Sequence, residues 1–348
     1  MKKNFATVRQ AEALAKNKIR KGSFKWLQAA AEDGYTHFKN IEDLNSIKIL
    51  PKHLAKIKKP YLQSNFFGTK ISSPLILSPM GHQTQFNKKG EIEMAKGLEI
   101  SNSIAFFGTQ NRMSLNDIRK KNKKANLAWT IFPFGNKSWI KSQITLAERN
   151  KCVAIAVCVD ANVRSHRYLD RELINYDARK YGNRTNKVSP NPKLALSYDW
   201  SLIKFIKKNT KLPLIIKGIL TVDDAKKSIK NGADAIWLSN HGGRMLNSGI
   251  SGVQSIMNYK KKIKSKKIKV IVDGGVRRGS DILKYLCLGA DFVGIGRPAI
   301  YGLICQGSVG VGKIFEILNN ELYTVMANGG FGDLKSFSTN RLKLNEKK

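Results

Sequence analysis

The sequence predicts an α/β fold, a (β/α)8 barrel with a helical segment at its N-terminus. Eight short apolar or β-branched runs alternate with longer stretches of helical periodicity, which is typical of a parallel sheet with helical crossovers. A barrel of this kind needs about 250 residues, and the chain has 348 residues, of which 42% are hydrophobic. The eight runs lie at residues 74–78, 103–107, 127–132, 153–159, 213–217, 235–239, 270–272 and 292–295.

A single domain is expected to account for the whole chain, residues 1–348. Residues 5–31 have a helical pattern, so we assign an N-terminal helical segment to residues 1–65 and the barrel to about residues 66–335. The stretch from Asp170 to Asp199 is polar and follows the fourth run. Its length suggests either a lid over a site or an excursion with no role.

The chain is strongly basic, because 62 Lys and Arg against 25 Asp and Glu give a formal net charge of +37. Such a charge can indicate nucleic-acid binding, binding to acidic lipid, or a Lys-rich proteome. The lysines are scattered through almost every segment, whereas a nucleic-acid surface would cluster them with interleaved aromatic residues. We therefore favour a compositional bias and expect no nucleic-acid partner. The densest basic run, residues 260–267, is expected to be a solvated helix end and loop.

The four cysteines and the hydropathy pattern favour a cytoplasmic protein. No C-x-x-C pair and no His at ligand spacing accompanies the cysteines, so neither a metal site nor a disulfide framework is indicated. The N-terminus lacks an apolar core of signal-peptide length. No apolar run approaches the roughly 18 residues that cross a membrane.

One motif places a proton acceptor and a fixed cation on a tight turn. Residues 239–244 read SNHGGR and directly follow the sixth apolar run. The two glycines between His241 and Arg244 allow the backbone to fold back, so that both side chains can reach one pocket. This combination suits an acid that carries a removable proton.

Two further motifs predict a phosphate site. Residues 270–279 read VIVDGGVRRG and residues 292–298 read FVGIGRP, and each ends an apolar run with Gly and Arg. Backbone N–H groups and guanidinium forks bind phosphate, and barrels often build phosphate sites after strands seven and eight. The candidate residues fall at the carboxyl ends of predicted strands, where barrels carry their reactive groups: Lys217, Ser239, His241, Asp273, Gly274, Gly275, Val276, Arg277, Gly296 and Arg297.

The order and spacing of these motifs resemble the FMN-dependent L-2-hydroxy-acid oxidases and dehydrogenases, a family that includes glycolate oxidase and lactate oxidase. The likeness runs from near residue 11 to about residue 329 and is strongest over residues 212–298. It implies an FMN enzyme that oxidises a small L-2-hydroxy acid to the 2-oxo acid. It also implies oxygen as the acceptor, hydrogen peroxide as a product, and a homo-oligomer, commonly a tetramer.

The resemblance assigns roles to individual residues. His241 would take the hydroxyl proton, and Asp160 would stabilise the protonated imidazole. Arg167 and Arg244 would bind the substrate carboxylate, while Lys217 would stabilise the anionic reduced flavin ring. The other cofactor positions it implies are Arg277, Gly296 and Arg297 at the phosphate, Pro79, Met80, Gly81 and Ser239 at the flavin, and, by location alone, Gly108, Thr130 and Cys158.

The sequence departs from the family pattern in the pocket. The family has two substrate-binding tyrosines, whereas this chain has Trp26 and Phe132 at those positions. If each missing hydroxyl contributes roughly 0.5 to 1.5 kcal/mol, the loss costs about ten- to a hundredfold in turnover or affinity. Thr130 stands where a glutamine usually contacts the flavin. The alternatives are a dehydrogenase that passes electrons to a quinone or protein, a flavin-binding protein with lost or altered turnover, and, more weakly, nucleic-acid binding.

Overall fold

Eight parallel strands close into a barrel in the computed structural model, which describes residues 4–57, 59–171, 192–263 and 267–344. The strands follow chain order around the barrel, and the last pairs with the first. Each of the eight predicted runs overlaps one barrel strand, so the predicted (β/α)8 barrel is confirmed. The strands are β1 (Lys48–Ile49), β2 (Ser64–Phe66), β3 (Thr69–Ile71), β4 (Leu75–Leu77), β5 (Ile104–Gly108), β6 (Asn126–Ile131), β7 (Ile155–Cys158), β8 (Leu214–Ile219), β9 (Ala235–Leu238), β10 (Lys269–Asp273), β11 (Phe292–Ile295) and β12 (Leu342–Lys343), of which β4 to β11 form the barrel.

Helices connect successive barrel strands and surround them. Several begin at a side-chain cap: Ser114, Asn136 and Thr221 each accept a hydrogen bond from the backbone N–H three residues later. The helices are α1 (Val8–Lys18), α2 (Lys21–Gln28), α3 (Tyr35–Ser46), α4 (Gly90–Ile100), α5 (Leu115–Lys121), α6 (Lys137–Arg149), α7 (Tyr168–Arg171), α8 (Pro192–Ser197), α9 (Ser201–Lys208), α10 (Val222–Lys230), α11 (Gly252–Lys262), α12 (Gly279–Cys287) and α13 (Arg297–Gly329).

The N-terminal segment is helical, as the pattern over residues 5–31 predicts, but it contains three helices. Extended backbone at Ile19 and Arg20 separates α1 from α2. A turn then leads into α3, which lies beyond the predicted stretch. Gly34 begins that helix with a φ of +90°, a left-handed conformation that glycine adopts without steric cost.

Apolar side chains fill the amino-terminal half of the barrel. Phe66, from the β2–β3 hairpin, is fully buried and packs against Phe292 and Phe106, with ring centroids 4.9 Å and 6.0 Å away. Phe106 in turn packs on Trp237 at 5.0 Å. A second apolar layer joins the outside of the barrel to the helices. The polar candidate residues are therefore concentrated at the opposite, carboxyl end of the strands.

The proposed lid over residues 170–199 lies mostly outside the described residues, which resume at α8. Among the residues that the structure describes, none of the helices combines the length and apolar character needed to cross a bilayer.

Candidate active site at the carboxyl ends of the barrel strands

His241 and Asp160 meet across the barrel mouth. Asp160 follows β7 and His241 follows β9, and the imidazole Nδ1 lies 3.2 Å and 3.3 Å from the two carboxylate oxygens. Both side chains are largely buried, with exposed fractions of 20% for His241 and 14% for Asp160. With Nδ1 bonded to the carboxylate, the Nε2 atom is the one left to accept a proton.

Burial keeps this histidine neutral, and neighbouring positive charges keep this aspartate ionised. Burial lowers the pKa of His241, and the nearby cations Lys217 and Arg244 lower it further, whereas Asp160 raises it. Burial alone would raise the pKa of Asp160, but His241 and Lys217 hold that pKa well below its usual range. The resting pair is therefore an uncharged base beside a fixed negative charge.

Two glycines permit this geometry. Gly218 has a φ of +101°, and a Cβ atom there would lie 2.6 Å from Cβ and Cγ of Asp160. Gly243 has a φ of +76°, and a Cβ atom there would lie 2.5 Å from the backbone N of His37. His241 itself has a left-handed φ of +58°. A larger residue at 218 or 243 would displace the aspartate or the turn that carries the histidine.

A buried hydrogen-bonded chain links the predicted flavin-contact residues. The Lys217 ammonium donates to the Ser239 hydroxyl at 2.8 Å, and this hydroxyl donates to Asp273 at 2.7 Å. Ser78 donates to the second carboxylate oxygen of Asp273 at 3.0 Å. Burial lowers the pKa of Lys217, but Asp273 and Asp160 outweigh it, so the pKa is raised and the side chain stays cationic. This fixed positive charge suits an anionic ring system.

The loop after β10 forms a compact backbone turn. Gly274 and Gly275 have φ values of +105° and +80°, and a Cβ atom at Gly275 would lie 2.5 Å from the Asn40 carbonyl oxygen. Val276 is buried beside them, and the half-buried Arg277 follows. Gly296, the N-cap of α13, closes the same end of the barrel.

Arg297 and Arg244 both point at the C-terminal end of α2. Arg297 Nε donates to the Leu27 carbonyl at 3.0 Å, and its Nη2 donates to the Gln28 and Ala29 carbonyls at 3.4 Å and 3.3 Å. Arg244 Nη1 donates to the Trp26, Leu27 and Ala29 carbonyls at 3.1 Å, 3.3 Å and 2.6 Å. The last carbonyls of a helix have no partner within it, so two cations satisfy them.

A third group, His37, joins these arginines. Its Nδ1 lies 3.1 Å from Arg297 Nη1, which also donates to the Gly242 carbonyl at 3.2 Å. Burial and the charges of Arg297, Arg277 and Arg244 lower the pKa of His37 to about 2, so it is a neutral acceptor. Arg277 and Arg297, the two arginines predicted to bind phosphate, therefore lie close to the turn that carries His241.

The predicted substrate-binding side chains surround the His241 turn. Arg167 Nε donates to the Ser165 hydroxyl at 3.1 Å and to the Arg244 carbonyl at 3.4 Å. The Arg244 guanidinium carbon lies 4.8 Å from the centre of the Trp26 ring. The Phe132 ring lies 6.4 Å from the His241 ring and supplies no donor.

The remaining flavin-contact positions surround the same end of the barrel. Pro79, Met80 and Gly81 follow β4, and a Cβ atom at Gly296 would lie 3.0 Å from Met80 Sδ. Gly108 ends β5 beside Thr130 on β6, where a Cβ atom at 108 would lie 2.7 Å from the Thr130 carbonyl oxygen. The buried Thr130 hydroxyl has no hydrogen-bond partner among the described residues, which fits a polar cofactor atom at this point.

Cys158 occupies an unexpected place among these residues. Its thiol donates to Asp160 Oδ1 at 3.0 Å, and its sulfur lies 3.9 Å from His241 Nδ1. Burial raises the pKa of this thiol well above its usual value, so it is protonated. The resemblance implies that Cys158 contacts the flavin. The structure adds direct contacts between this cysteine and both Asp160 and His241.

Two residues of the site, Asn40 and His37, both lie on α3 and are not predicted by any motif in the sequence. The Asn40 amide exchanges two hydrogen bonds with the Asn240 amide, at 3.0 Å and 2.8 Å, and also accepts from the Gly252 N–H at 3.1 Å. No motif surrounds either residue, and their partners lie about 200 residues or more away in the chain. Only the fold could reveal them.

Known proteins resemble this chain along almost its whole length. The profile of the family described as FMN-dependent dehydrogenase matches residues 15–344. An L-lactate oxidase from Lentilactobacillus hilgardii is 33% identical over 343 residues, which cover 94% of this chain and 92% of that protein. An L-lactate oxidase from Streptococcus iniae is 31% identical over 349 residues, covering 96% and 85%. A crystal structure described as a putative lactate oxidase from Pediococcus acidilactici has a TM-score of 0.92 at 30% identity, covering 100% of this chain and 97% of that one. The chain belongs to the FMN-dependent dehydrogenase family, and FMN is its cofactor.

Proposed function

We propose that this enzyme oxidises a small L-2-hydroxy acid to the corresponding 2-oxo acid. The observation that carries the proposal is the buried pair of His241 and Asp160, with the cations Lys217 and Arg244 close enough to affect its charge. A neutral base beside fixed positive charge suits a substrate that carries both a carboxylate and a hydroxyl proton. The two lactate oxidases at 33% and 31% identity support this substrate class.

The proposed FMN site uses the residues at the strand ends. Lys217, Ser239 and Thr130, with Pro79 to Gly81 and Gly108, would hold the ring, and the loop from Asp273 to Arg277 with Gly296 would hold the phosphate. Arg297 would add its charge, since its donors are directed to carbonyls. Bound FMN supplies the two-electron acceptor for the reaction.

The proton step belongs to His241. Because Asp160 accepts from Nδ1–H, the imidazole presents a bare Nε2 to the substrate hydroxyl. The proton moves from the hydroxyl oxygen to Nε2, and the resulting imidazolium is stabilised by the Asp160 carboxylate at 3.2 Å. Asp160 thus lowers the free energy of the imidazolium that the step produces.

The substrate carboxylate is assigned to Arg244 and Arg167. Arg244 sits on the same turn as the base, and Arg167 donates to the backbone of that turn. Two guanidinium groups, one on this turn and one bonded to it, would orient a planar carboxylate and therefore the α-carbon next to it. Trp26 and Phe132 make the pocket more apolar than two tyrosines would, which favours a substrate with an apolar side chain.

Oxygen is the proposed electron acceptor, with hydrogen peroxide as the product, and the oxidase relatives support it. A quinone or protein acceptor is the second candidate, and loss of turnover is the third, motivated by Trp26 and Phe132. We further propose a cytoplasmic homo-oligomer, a tetramer by resemblance. Peroxide yield under air, compared with dye reduction under nitrogen, separates the first two candidates.

Anaerobic bleaching of the flavin by a panel of L-2-hydroxy acids tests the proposal. Purified protein reconstituted with FMN is expected to absorb near 450 nm and to lose that absorbance when an L acid is added, while the D enantiomer has little effect. Protein that gains no flavin spectrum with FMN would refute the cofactor site. Yellow protein that no 2-hydroxy acid bleaches would favour the third candidate.

A further inference from the structure

Three chemically different ligand atoms converge beside the barrel mouth. Cys158 Sγ, Asp160 Oδ1 and His241 Nδ1 all lie within 4.8 Å of one another. The separations are 3.0 Å from sulfur to oxygen, 3.9 Å from sulfur to nitrogen and 3.2 Å from nitrogen to oxygen. Among the described parts of the chain, this is the one group of three His, Cys, Asp or Glu side chains so arranged.

These separations match the edges of a tetrahedral zinc site. Zinc bonds of about 2.3 Å to sulfur and about 2.0–2.1 Å to nitrogen or oxygen imply ligand-to-ligand edges of about 3.3–3.6 Å. The three observed edges differ from these by roughly 0.6 Å or less. Small side-chain rotations therefore suffice to hold a cation, and the fourth position would go to water or to an oxygen of the substrate.

We propose that Cys158, Asp160 and His241 form a binding site for a thiophilic divalent cation such as Zn²⁺, and that the bound cation blocks the acid–base step. The blocking part rests on the function proposed above, whereas binding does not. A thiolate, a carboxylate and an imidazole form a donor set that favours Zn²⁺ over hard ions such as Mg²⁺.

The chemistry balances without any change of oxidation state. Sulfur forms a bond to the cation as the thiol proton leaves to solvent, and Asp160 bonds through its existing carboxylate. The Nδ1 lone pair of His241 bonds to the cation, and the proton that Nδ1 carried moves to Nε2. An imidazole with its proton on Nε2 cannot take the substrate hydroxyl proton. The two negative ligands balance the double positive charge.

Sequence spacing alone could not have indicated this site. Cys158 and Asp160 are close in sequence, but His241 lies 83 residues from the cysteine and joins them through the closure of the barrel. The other three cysteines, Cys152, Cys287 and Cys305, are buried elsewhere in the fold. The expectation of no metal site rested on the absence of a local ligand motif.

Isothermal titration calorimetry with ZnCl₂ tests the binding. The FMN-loaded protein is first treated with a chelator and desalted, so that it starts without metal. We expect one saturable equivalent per chain, a dissociation constant at least tenfold weaker in Cys158→Ser, and no change in the matched control Cys152→Ser. MgCl₂ should produce no saturable heat. The absence of saturable zinc binding, or an unchanged dissociation constant in Cys158→Ser, would overturn the site.

The blocking effect is measured separately as the anaerobic rate of flavin bleaching with and without ZnCl₂, each variant normalised to its own metal-free rate. Wild-type bleaching is expected to slow at least tenfold at saturating zinc and to recover with chelator, and Cys158→Ser should need at least tenfold more zinc. Saturable binding with unchanged bleaching would overturn the blocking effect alone. If no hydroxy acid bleaches the flavin, the function fails while the calorimetry still decides the site.

Discussion

Two histidines at the barrel mouth are held neutral by burial and neighbouring cations, but their surroundings give them different capacities. His37 is surrounded by three arginines and accepts a hydrogen bond from one of them. His241 contacts Asp160, a negative charge that favours its protonated form. Such a partner stabilises the imidazolium, so His241 is better suited than His37 to take up a proton. The structure therefore distinguishes a histidine surrounded by cations from one that contacts a carboxylate.

The decrease of kcat/KM at acidic pH should reflect the pKa of His241. Its pKa lies below the ordinary value of 6.5, and the base must be neutral in the free enzyme. We expect the inflection in kcat/KM for flavin reduction to lie below pH 6.5, with a fall that approaches tenfold per pH unit on its acid side. The inflection should move to still lower pH in Asp160→Asn, because the charge that raises the His241 pKa is removed. An inflection at or above 6.5 in the wild type would contradict the assignment.

Restoring the missing hydroxyls should increase activity. In Trp26→Tyr combined with Phe132→Tyr, two donors return beside Arg244 and His241, and we expect kcat/KM to rise by about ten- to a hundredfold. Phe134→Tyr is the matched control, since Phe134 stacks on Phe132 with ring centres 5.9 Å apart. A control effect as large as that of the double variant would refute the role given to the two positions.

The sequence could predict where the candidate residues lie, because each is in a short local motif at a strand end. His241, Lys217 and Arg244 needed only the apolar run before them and the glycines beside them. The contacts of Arg297 could not be predicted in this way, because its guanidinium binds carbonyls of α2, some 270 residues earlier in the chain. Local spacing predicts where a side chain lies along its strand, but it does not predict which distant backbone groups bind that side chain.

The N-terminal segment helps to build the candidate active site. The C-terminal carbonyls of α2 bind Arg244 and Arg297, and the Ala31 N–H donates to the Gly243 carbonyl at 2.8 Å. The Glu32 N–H donates to the His166 carbonyl at 2.6 Å, so one short segment joins the loops after β7 and β9. The relative placement of Arg167 and His241 therefore depends on residues outside the barrel.

Asn40 joins α3 to the turn that carries His241 through its paired amide contacts with Asn240. Asn40→Ala leaves the Asn240 amide and the Gly252 N–H short of partners in a buried region. We expect the free energy of unfolding to fall by roughly 2 kcal/mol or more, measured by chemical denaturation of FMN-loaded protein.

The control on the same helix is Glu42→Ala. Its side chain is 71% exposed, and the buried Lys39 that it contacts keeps a second acidic partner in Asp43, so a change below about 0.5 kcal/mol is expected. Equal losses in Asn40→Ala and Glu42→Ala would contradict the structural role of the amide pair.

The barrel strands were predictable because each is a short apolar run that is buried on both faces. By contrast, β1 and β12 contain two residues each and pair across almost the full length of the chain. The strands of the β2–β3 hairpin contain only three residues each, yet the hairpin's Phe66 is fully buried at the amino-terminal end of the barrel. Such elements depend on tertiary contacts, and a two- or three-residue run carries too little pattern to reveal them.

At the scale of the whole molecule, the net charge of +37 favours anionic ligands in general. A 2-hydroxy acid and the phosphate of FMN are both anions, so the surrounding field speeds their approach without determining the chemistry. The specific charges at the site are those of Lys217, Arg244, Arg277 and Arg297.

The N-terminal helices and the barrel should unfold together as one domain. Phe5, Val8 and Ala11 are buried in the same core as α13, and Gln28 donates to the Tyr301 hydroxyl at 2.8 Å. We expect a single thermal transition in which helical circular dichroism and release of fluorescent FMN coincide. Two resolved transitions, the earlier one without release of FMN, would contradict the single domain.

The most direct test of the account is the rate of anaerobic flavin bleaching in His241→Ala, with the 2-hydroxy acid that works best for the wild type. Absorbance near 450 nm should confirm that the variant keeps its FMN, since His241 lies outside the proposed phosphate site. We expect bleaching to slow by about 10²–10⁴-fold because the proton acceptor is gone. Bleaching at the wild-type rate would contradict the assignment of His241 as the base.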